Sequence, residues 1–254
     1  MILTRIGNKR RIANKIIPLF PYHKMYIEPF FGAGGMFFSK QKVKYNIVND
    51  LDNEVFNLFM VTKSQKSALE TAFLHTPYNE ELFRYWAENQ EIEPIQKAVR
   101  FLFLSNFGFL GKSETLKFGY HNSKQVIIDK LNDVNQKLQD VQFMNCCFRK
   151  VLSKVNFRHG DNDREHAFIY ADPPYLETDD NYSASFEFQD SIDLFDMLEG
   201  SDVRFAMSEF DHPFILDEAK KRKLNIINVG ERVNLKNRRL EILITNYRPQ
   251  NLLF

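Results

Sequence analysis

The residues best suited to chemistry are four consecutive ones, Asp172, Pro173, Pro174 and Tyr175, which directly follow the apolar run Ala167–Ala171. Two successive prolines end a strand and hold the backbone extended, and because neither donates an N–H, the carbonyls around them remain acceptors. An exocyclic amine on a flat ring has two hydrogens. The Asp172 carboxylate can accept one and a backbone carbonyl the other, while Tyr175 offers a face for the ring. The alternative is a Pro-Pro turn that merely ends a strand.

A glycine-rich turn early in the chain is a second candidate. It reads Glu28-Pro29-Phe30-Phe31-Gly32-Ala33-Gly34-Gly35 and follows an apolar run. Glycines let the backbone approach a ligand closely, and a helix start presents unpaired N–H groups, so we expect a helix from about Gly35. Ordinary strand–helix packing is the alternative. Because the turn lacks the Gly-x-Gly-x-x-Gly spacing and a phosphate-loop lysine, a dinucleotide oxidoreductase is disfavoured.

The next apolar run ends in Asn49-Asp50. In a nucleotide-binding fold, the acidic residue that closes the second strand lies where a ribose presents two hydroxyls, and one carboxylate can accept both. A strand-end aspartate is otherwise an ordinary helix N-cap, a role open to Asp50 or Asp52.

Short apolar runs alternate with helical patterns, which predicts an α/β sheet covered by helices. Helices are expected over 8–18, 53–61 and 123–138, the stretch 64–105 is helical without a convincing strand, and 107–119 reads as a loop or hairpin. Seven strands are expected, the last two joined by a polar, basic connection: Met25–Pro29, Tyr45–Asn49, Val141–Asn145, Ala167–Ala171, Val203–Met207, Leu224–Val229 and Glu241–Tyr247.

Charge is unevenly distributed. Between Lys97 and Lys154 there are ten lysines and arginines but four acidic residues, a balance of +6 in a chain whose net charge is +1. Aromatic residues lie in the same stretch, among them Phe101, Phe103, Phe107, Phe109, Phe118 and Tyr120. Basic side chains interleaved with aromatics suit a polyanion that carries flat bases. An amphipathic helix with a solvated basic face is the alternative.

Several classes are disfavoured. No apolar run approaches the roughly 20 residues that span a bilayer, and the N-terminus lacks a stretch of signal-peptide length. The only cysteines, Cys146 and Cys147, are adjacent and cannot build a disulfide framework, which favours a reducing cytoplasm. No Cys/His group has zinc-site spacing.

These segments together resemble the Dam-type DNA adenine-N6 methyltransferases. The landmarks run in the family's order from end to end: Gly7-Asn8-Lys9, Pro29-Phe30-Phe31-Gly32-Ala33-Gly34, Asn49-Asp50, Asp172-Pro173-Pro174-Tyr175 and Glu241-Ile242-Leu243-Ile244-Thr245-Asn246-Tyr247. The resemblance implies an α/β fold, with a Rossmann-like seven-stranded methyltransferase sheet in residues 1–62 and 139–254. Residues 63–138 are expected to form a mostly helical target-recognition insertion.

The resemblance also implies a reaction: a site-specific transfer of the methyl group of S-adenosylmethionine to N6 of a flipped adenine in double-stranded DNA, without a metal. Asp172, Pro173, Pro174 and Tyr175 are expected to be catalytic. The expected cofactor contacts are Arg5, Gly7, Asn8, Lys9, Glu28, Pro29, Phe30, Phe31, Gly32, Gly34, Asp50, Phe148 and Asp172. The expected DNA contacts are Lys112, Lys117, Asn122, Lys124, Arg232, Lys236, Arg238 and Arg239. A nucleoid-associated enzyme of this kind would have DNA as its partner and, in a restriction–modification pair, a cognate endonuclease.

The chain departs from the family pattern at three places. Arg5 stands where an aromatic residue is usual, Cys147 where an acidic one is common, and Phe107–Lys112 lacks the usual Asn-Gly-Leu-Tyr-Arg run. Recognition of GATC is therefore not implied. Methylation of cytosine N4 or of an RNA amine remains open, as does an inactive nucleic-acid-binding module.

Overall fold

The computed structural model describes residues 2–3, 9–108, 115–119, 123–157, 164–176, 186–233 and 238–249, with only the backbone at Ser123, Arg232, Val233 and Arg238. The strands are β1 (Met25–Glu28), β2 (Tyr45–Asn49), β3 (Val141–Met144), β4 (Ala167–Ala171), β5 (Arg204–Phe210), β6 (Asn225–Val233) and β7 (Arg238–Thr245). The α-helices are α1 (Ala13–Ile16), α2 (Asn53–Ser64), α3 (Lys66–His75), α4 (Glu80–Glu88), α5 (Pro94–Phe107), α6 (Ser123–Leu138), α7 (Phe188–Glu199) and α8 (Pro213–Lys221).

All seven strands join one sheet in the order β3-β2-β1-β4-β5-β7-β6. The first five are parallel to one another, whereas β7 inserts antiparallel between β5 and β6. The predicted α/β fold with a seven-stranded Rossmann-like sheet is confirmed. The sheet order reverses direction between β1 and β4, and the crevice outside the carboxyl ends of strands at such a point is where ligands bind in open α/β sheets.

The antiparallel strand brings a second set of residues to that carboxyl edge. Glu241 pairs with Phe210, the last residue of β5, so the start of β7 lies beside the end of β5. β7 begins three residues earlier than predicted and therefore includes Arg238 and Arg239, which were expected in the connection. Pairing with β6 continues to Val233 and Arg238, because backbone hydrogen bonds of a hairpin do not require apolar side chains.

Alternating side chains of the strands supply two hydrophobic cores, one on each face of the sheet. Tyr26, Val48, Phe168 and Tyr170 belong to one core. Their neighbours along the same strands, including Ile27, Ile47 and Ile169, belong to the other. Burial on both faces explains why the central strands read as continuous apolar runs.

Helices α2 to α6 lie in the chain between β2 and β3. Asp52, and not Asp50, is the N-cap of α2, because its Oδ1 accepts the N–H of Glu54 at 2.9 Å. Apolar side chains of this block, among them Phe59, Phe103 and Leu131, share the first core with Tyr26 of the sheet. The helices thus pack onto the sheet, and the division at residues 63 and 138 stays a prediction.

Two predicted helices differ from the structure. The stretch after Gly34 forms turns, with i→i−4 bonds only from Phe38 to Gly34 and from Lys40 to Met36. The N-terminal helix is divided into a 3₁₀ turn (Lys9–Arg11), α1 and a second 3₁₀ turn (Ile17–Leu19), because Pro18 cannot donate the hydrogen bond that would continue α1. In the described part of the chain, no helix has both the length and the apolar character to cross a membrane.

Candidate active site

The carboxyl edge of the sheet collects the chemical groups of the site. Glu28 ends β1, Asp50 follows β2, Asp172 follows β4, and Glu209 and Glu241 lie at the junction of β5 and β7. All five are acidic; Glu28, Glu209 and Glu241 are buried, and the Asp172 side chain is 20% exposed. The edge therefore needs a compensating positive charge.

Lys9 supplies that charge. Its 3₁₀ turn carries the ammonium group to 3.0 Å from Oδ1 of Asp172 and 2.9 Å from Oε1 of Glu241, and only 4% of the side chain is exposed. We refer to Lys9, Asp172 and Glu241 as the ion-pair cluster. The structure thus brings two predicted site residues, Lys9 and Asp172, into direct contact with each other.

The charge state of the cluster follows from its surroundings. Burial lowers the pKa of Lys9, but the charges of Asp172 and Glu241 more than offset this, so its pKa is raised and it stays protonated. Burial raises the pKa of Asp172, Lys9 opposes the increase, and Glu241 adds to it. The Asp172 side chain is 20% exposed, so its carboxylate is held by Lys9 yet open to the cleft.

Two further acids on this edge lie outside the cluster. Glu28 accepts the Tyr26 hydroxyl hydrogen at 2.8 Å, and Glu209 accepts the N–H of Phe210 at 2.9 Å. Burial raises the pKa of both well above the usual range, which favours their protonated forms. Glu28 is therefore buried and favoured in its protonated form, and its contact with a cofactor stays a prediction.

Tyr175 is held in the same cluster. Its hydroxyl donates to Oε1 of Glu241 at 2.9 Å, its ring edge meets Phe210 at a centroid distance of 4.6 Å, and the Lys9 ammonium lies 4.3 Å from its ring centroid. The ring is buried, and Lys9 covers one of its faces. A base that stacks on Tyr175, as predicted, would have to use the opposite face. Beside it, Pro173 is buried and Pro174 half-buried.

The glycine turn has the conformation that its sequence requires. Gly32 and Gly34 have φ values of +52° and +70°, which side chains other than glycine rarely adopt. A Cβ on Gly34 would lie 2.5 Å from the Phe38 ring, whereas one on Gly32 would meet nothing within 4 Å. Gly34 is therefore needed for packing, and Gly32 faces open space.

Asp50 holds this turn. Its Oδ2 accepts the N–H of Gly32 at 2.6 Å, and its Oδ1 accepts that of Asp52 at 2.9 Å. Both carboxylate oxygens of Asp50 therefore hold the backbone at this edge of the sheet, one at the glycine turn and one at the segment that leads into α2.

An aromatic group lies beside the turn. The rings of Phe30 and Phe148 are 5.3 Å apart, and Phe186 lies 6.0 Å from Phe30 and 5.9 Å from Phe148. Arg149 stacks its guanidinium 4.6 Å from the Phe148 ring and bonds to Asp190 and Asp193 of α7. Phe30 and Phe148 were predicted cofactor contacts, and the structure places them together.

Phe31 and Pro29, two further predicted cofactor contacts, are packed inside the protein. The Phe31 ring is 3% exposed and packs edge-on against Phe59 and Phe143, so it belongs to the core. Pro29 is buried, and its carbonyl accepts from the Asn49 side chain at 2.9 Å.

The predicted DNA contacts are dispersed. The Lys124 ammonium bonds to the carbonyls of Leu74 and Thr76 at the end of α3, so it is engaged in helix capping. Lys117 follows the bridge between Gly108 and Leu116, and Arg239 lies in β7 with its guanidinium 5.4 Å from the Phe210 ring. The remaining predicted sites lie outside the described residues or side chains: Arg5, Gly7, Asn8, Lys112, Asn122, Arg232, Lys236 and Arg238.

The sequence interpretation missed the roles of Glu241 and Phe186. Glu241 is a lone acid in the apolar run Leu240–Ile244, and a charge in a buried strand requires a partner, which is the signal that could have identified it. Phe186 stands in a polar stretch and carries no such signal.

Comparisons with known proteins agree with this geometry. A model of the D12 class N6 adenine-specific DNA methyltransferase family matches residues 6–239. The DNA adenine methylase of Haemophilus influenzae is 30% identical over 194 residues, which are 70% of this chain and 65% of that protein. The DNA adenine methylase of Escherichia coli K12 is 21% identical over 268 residues, covering 96% of this chain and 93% of its own. Modification methylase StsI of Streptococcus sanguinis is 26% identical, covering 96% of this chain and 42% of its own. The chain therefore belongs to the D12 class N6 adenine-specific DNA methyltransferase family.

Proposed function

We propose that the chain transfers a methyl group from S-adenosylmethionine to N6 of adenine at a specific sequence in double-stranded DNA, with the target base flipped out of the helix. The observation that carries the proposal is the Asp172 carboxylate. It lies after β4 at the sheet's switch point, beside the glycine turn, and is held by the buried Lys9.

The residues around the glycine turn fit S-adenosylmethionine. Gly32 faces open space that a Cβ would partly fill, Asp50 places its carboxylate against the turn at the end of β2, where a ribose would lie, and Phe30 and Phe148 supply a flat apolar surface for adenine. When bound, the cofactor supplies an activated methyl group on a sulfonium.

Asp172 would orient the target amine. The lone pair of an adenine N6 is delocalised into the ring, which makes the amine a poor nucleophile. Hydrogen bonds to the Asp172 carboxylate and to a carbonyl near Pro173 would hold the nitrogen pyramidal, with its lone pair directed at the methyl group. Positioning of this kind can supply much of a rate enhancement.

The position of the carboxylate supports base flipping. The Asp172 side chain is 20% exposed and follows β4 at the carboxyl edge of the sheet. A stacked base cannot reach such a group, so the nucleotide has to rotate out of the duplex. The Lys117 region and Arg239 lie in segments suited to hold the surrounding backbone, and Phe118, 67% exposed, is a candidate to fill the gap left by the base.

Product analysis tests this proposal. The purified chain is incubated with duplex DNA and methyl-labelled S-adenosylmethionine, and the DNA is digested to nucleosides. We expect N6-methyldeoxyadenosine, and sequencing for modified adenines should give the target sequence. N4-methyldeoxycytidine, or label only in RNA offered in parallel, would replace the proposed substrate. The name of the relative StsI, a modification methylase, raises the question of whether an endonuclease recognises the same DNA sequence. Protection of the methylated DNA from cleavage tests this.

A further inference from the structure

We propose that Glu241 is a positioning residue for methyl transfer: by sharing the Lys9 ammonium, it leaves the ion-pair cluster with one net negative charge facing the reacting amine. The inference rests on the proposed function, because it presumes that Asp172 binds that amine.

The geometry gives Glu241 two contacts with the site. A single oxygen, Oε1, accepts from Lys9 at 2.9 Å and from the Tyr175 hydroxyl at 2.9 Å. Glu241 comes from β7, whereas Asp172 follows β4 and Lys9 precedes β1, so three separate elements meet at the ammonium. The side chain is 5% exposed, which keeps its charge close to the site and poorly screened.

The charges of the cluster do not cancel. Lys9 contributes one positive charge, and Asp172 and Glu241 contribute two negative charges when both are ionised. Two nearby acids, Glu28 and Glu209, are favoured in their neutral forms by burial. One net negative charge therefore remains. It acts on the substrate through Asp172, because this is the carboxylate that is partly exposed.

A negative charge beside the amine favours the proposed reaction. The nitrogen lone pair forms the new N–C bond as the S–C bond breaks, and the bonding pair stays on sulfur. Positive charge thus passes from sulfur to the amine until one N–H proton leaves to the Asp172 carboxylate and then to solvent. A net negative charge beside the amine stabilises the positive charge that develops on the nitrogen during the transfer. Without the charge of Glu241, Lys9 would pair with Asp172 alone and the site would be neutral.

A pH profile separates this role from simple structural support. The titratable groups that act on Asp172 are Lys9, Glu241, Tyr175, Tyr26, Glu28, Tyr170 and Glu209. Among them, the charge of Glu241 raises the pKa of Asp172. Removing this charge should therefore move the acid limb of the transfer rate to lower pH, even as the plateau rate falls.

The test compares Glu241→Gln with Glu218→Gln in single-turnover transfer to DNA between pH 5 and 9. For Glu241→Gln we expect the plateau to fall on the order of 10- to 100-fold, as for other groups that orient a contacting residue, and the acid limb to shift downward. Glu218→Gln removes a carboxylate that is 13% exposed and pairs with Arg222 at the end of α8, outside the site, and it should leave both unchanged. Affinities for DNA and S-adenosylmethionine should stay within about twofold in both variants.

An unchanged plateau in Glu241→Gln, or a lower plateau with an unmoved acid limb, would overturn the inference. If Glu241→Gln folds poorly in a thermal melt, Glu241→Asp takes its place. It keeps the charge, so we expect a partial loss of rate with the acid limb of the parent, and a limb that moves would overturn the inference. Activity retained by Asp172→Asn would instead refute the proposed function, whatever the Glu241 variants show.

Discussion

A single buried lysine determines how the acids of this site behave. The Lys9 ammonium contacts two carboxylates and lies over the Tyr175 ring, so it fixes the positions of three groups, two from the segment after β4 and one from β7. Removing one partner from such a group leaves a buried charge without compensation, which is far more costly than the pair is stabilising. We therefore expect Lys9 to serve the proposed catalytic arrangement, in addition to its proposed contact with the cofactor.

The two left-handed glycines of the turn should respond differently to substitution. Gly34→Ala forces a Cβ to 2.5 Å from the Phe38 ring, so we expect a loss of unfolding free energy above the roughly 1–3 kcal/mol of backbone strain alone. Gly32→Ala should cost only that strain but raise the Kd for S-adenosylmethionine, because its Cβ enters the open space beside the turn. Urea unfolding and calorimetric titration measure the two effects. A Gly32→Ala variant that binds the cofactor normally would contradict this use of the turn.

At the scale of elements, Asn49 joins the carboxyl ends of three strands. Its Nδ2 donates to the carbonyls of Pro29 and Cys146, both at 2.9 Å, and its Oδ1 accepts the Cys146 N–H at 3.0 Å. These bonds connect the segments after β1 and β3 to the end of β2. They therefore set the spacing between the glycine turn and the aromatic group.

Asn49→Ala is expected to affect both stability and binding. Leaving buried partners unsatisfied costs about 1–3 kcal/mol per group, so we expect a loss of at least about 2 kcal/mol in the unfolding free energy and weaker cofactor binding. Asn46→Ala is the matched control, because Asn46 is equally buried in the same strand but bonds only to Val43. It should lose stability and keep cofactor affinity. Equal loss of affinity in both variants would show that Asn49 has no special role at this edge.

The sheet could be predicted from sequence more completely than the site. Runs of five to seven mostly apolar residues located all seven strands, because strands buried on both faces leave an uninterrupted signal. The Asp172–Tyr175 segment stood out because its residues are adjacent. The Lys9–Glu241 contact joins residues 232 positions apart, and no local pattern reports such a contact. The sequence predicts a helix after Gly34 where the structure has turns, because sequence pattern alone does not distinguish successive turns from one short helix.

At the scale of the whole molecule, the antiparallel β7 carries both Glu241 of the ion-pair cluster and Arg239, an expected DNA contact. Its first residues lie at the carboxyl edge because Glu241 pairs with the last residue of β5. Arg239 is therefore two residues from Glu241 and on the same edge as Asp172. The helical block between β2 and β3 packs on the same sheet and contributes the Lys117 segment.

Arg239→Ala should reduce the salt dependence of DNA binding. Each phosphate contact contributes about 0.9 to the slope of log K against log salt, so the slope should fall by about one. Lys221→Ala is the control, since Lys221 is exposed at the end of α8, which leads back to the amino edge of the sheet. Binding is measured by fluorescence anisotropy between about 50 and 300 mM salt. This range includes the roughly 50–200 mM interval in which phosphate contacts make the affinity fall steeply. Equal slopes for Arg239→Ala and the parent would remove Arg239 from the interface.

The central claim is that the Asp172 carboxylate orients the amine that receives the methyl group. The most direct test is single-turnover methyl incorporation into DNA by Asp172→Asn, with binding of S-adenosylmethionine and DNA measured on the same preparation. Because the amide cannot carry the negative charge that holds the amine, we expect transfer to fall by at least about 100-fold, the range for a positioned catalytic group, while DNA is still bound. Transfer at the parental rate by a folded Asp172→Asn variant would contradict the account.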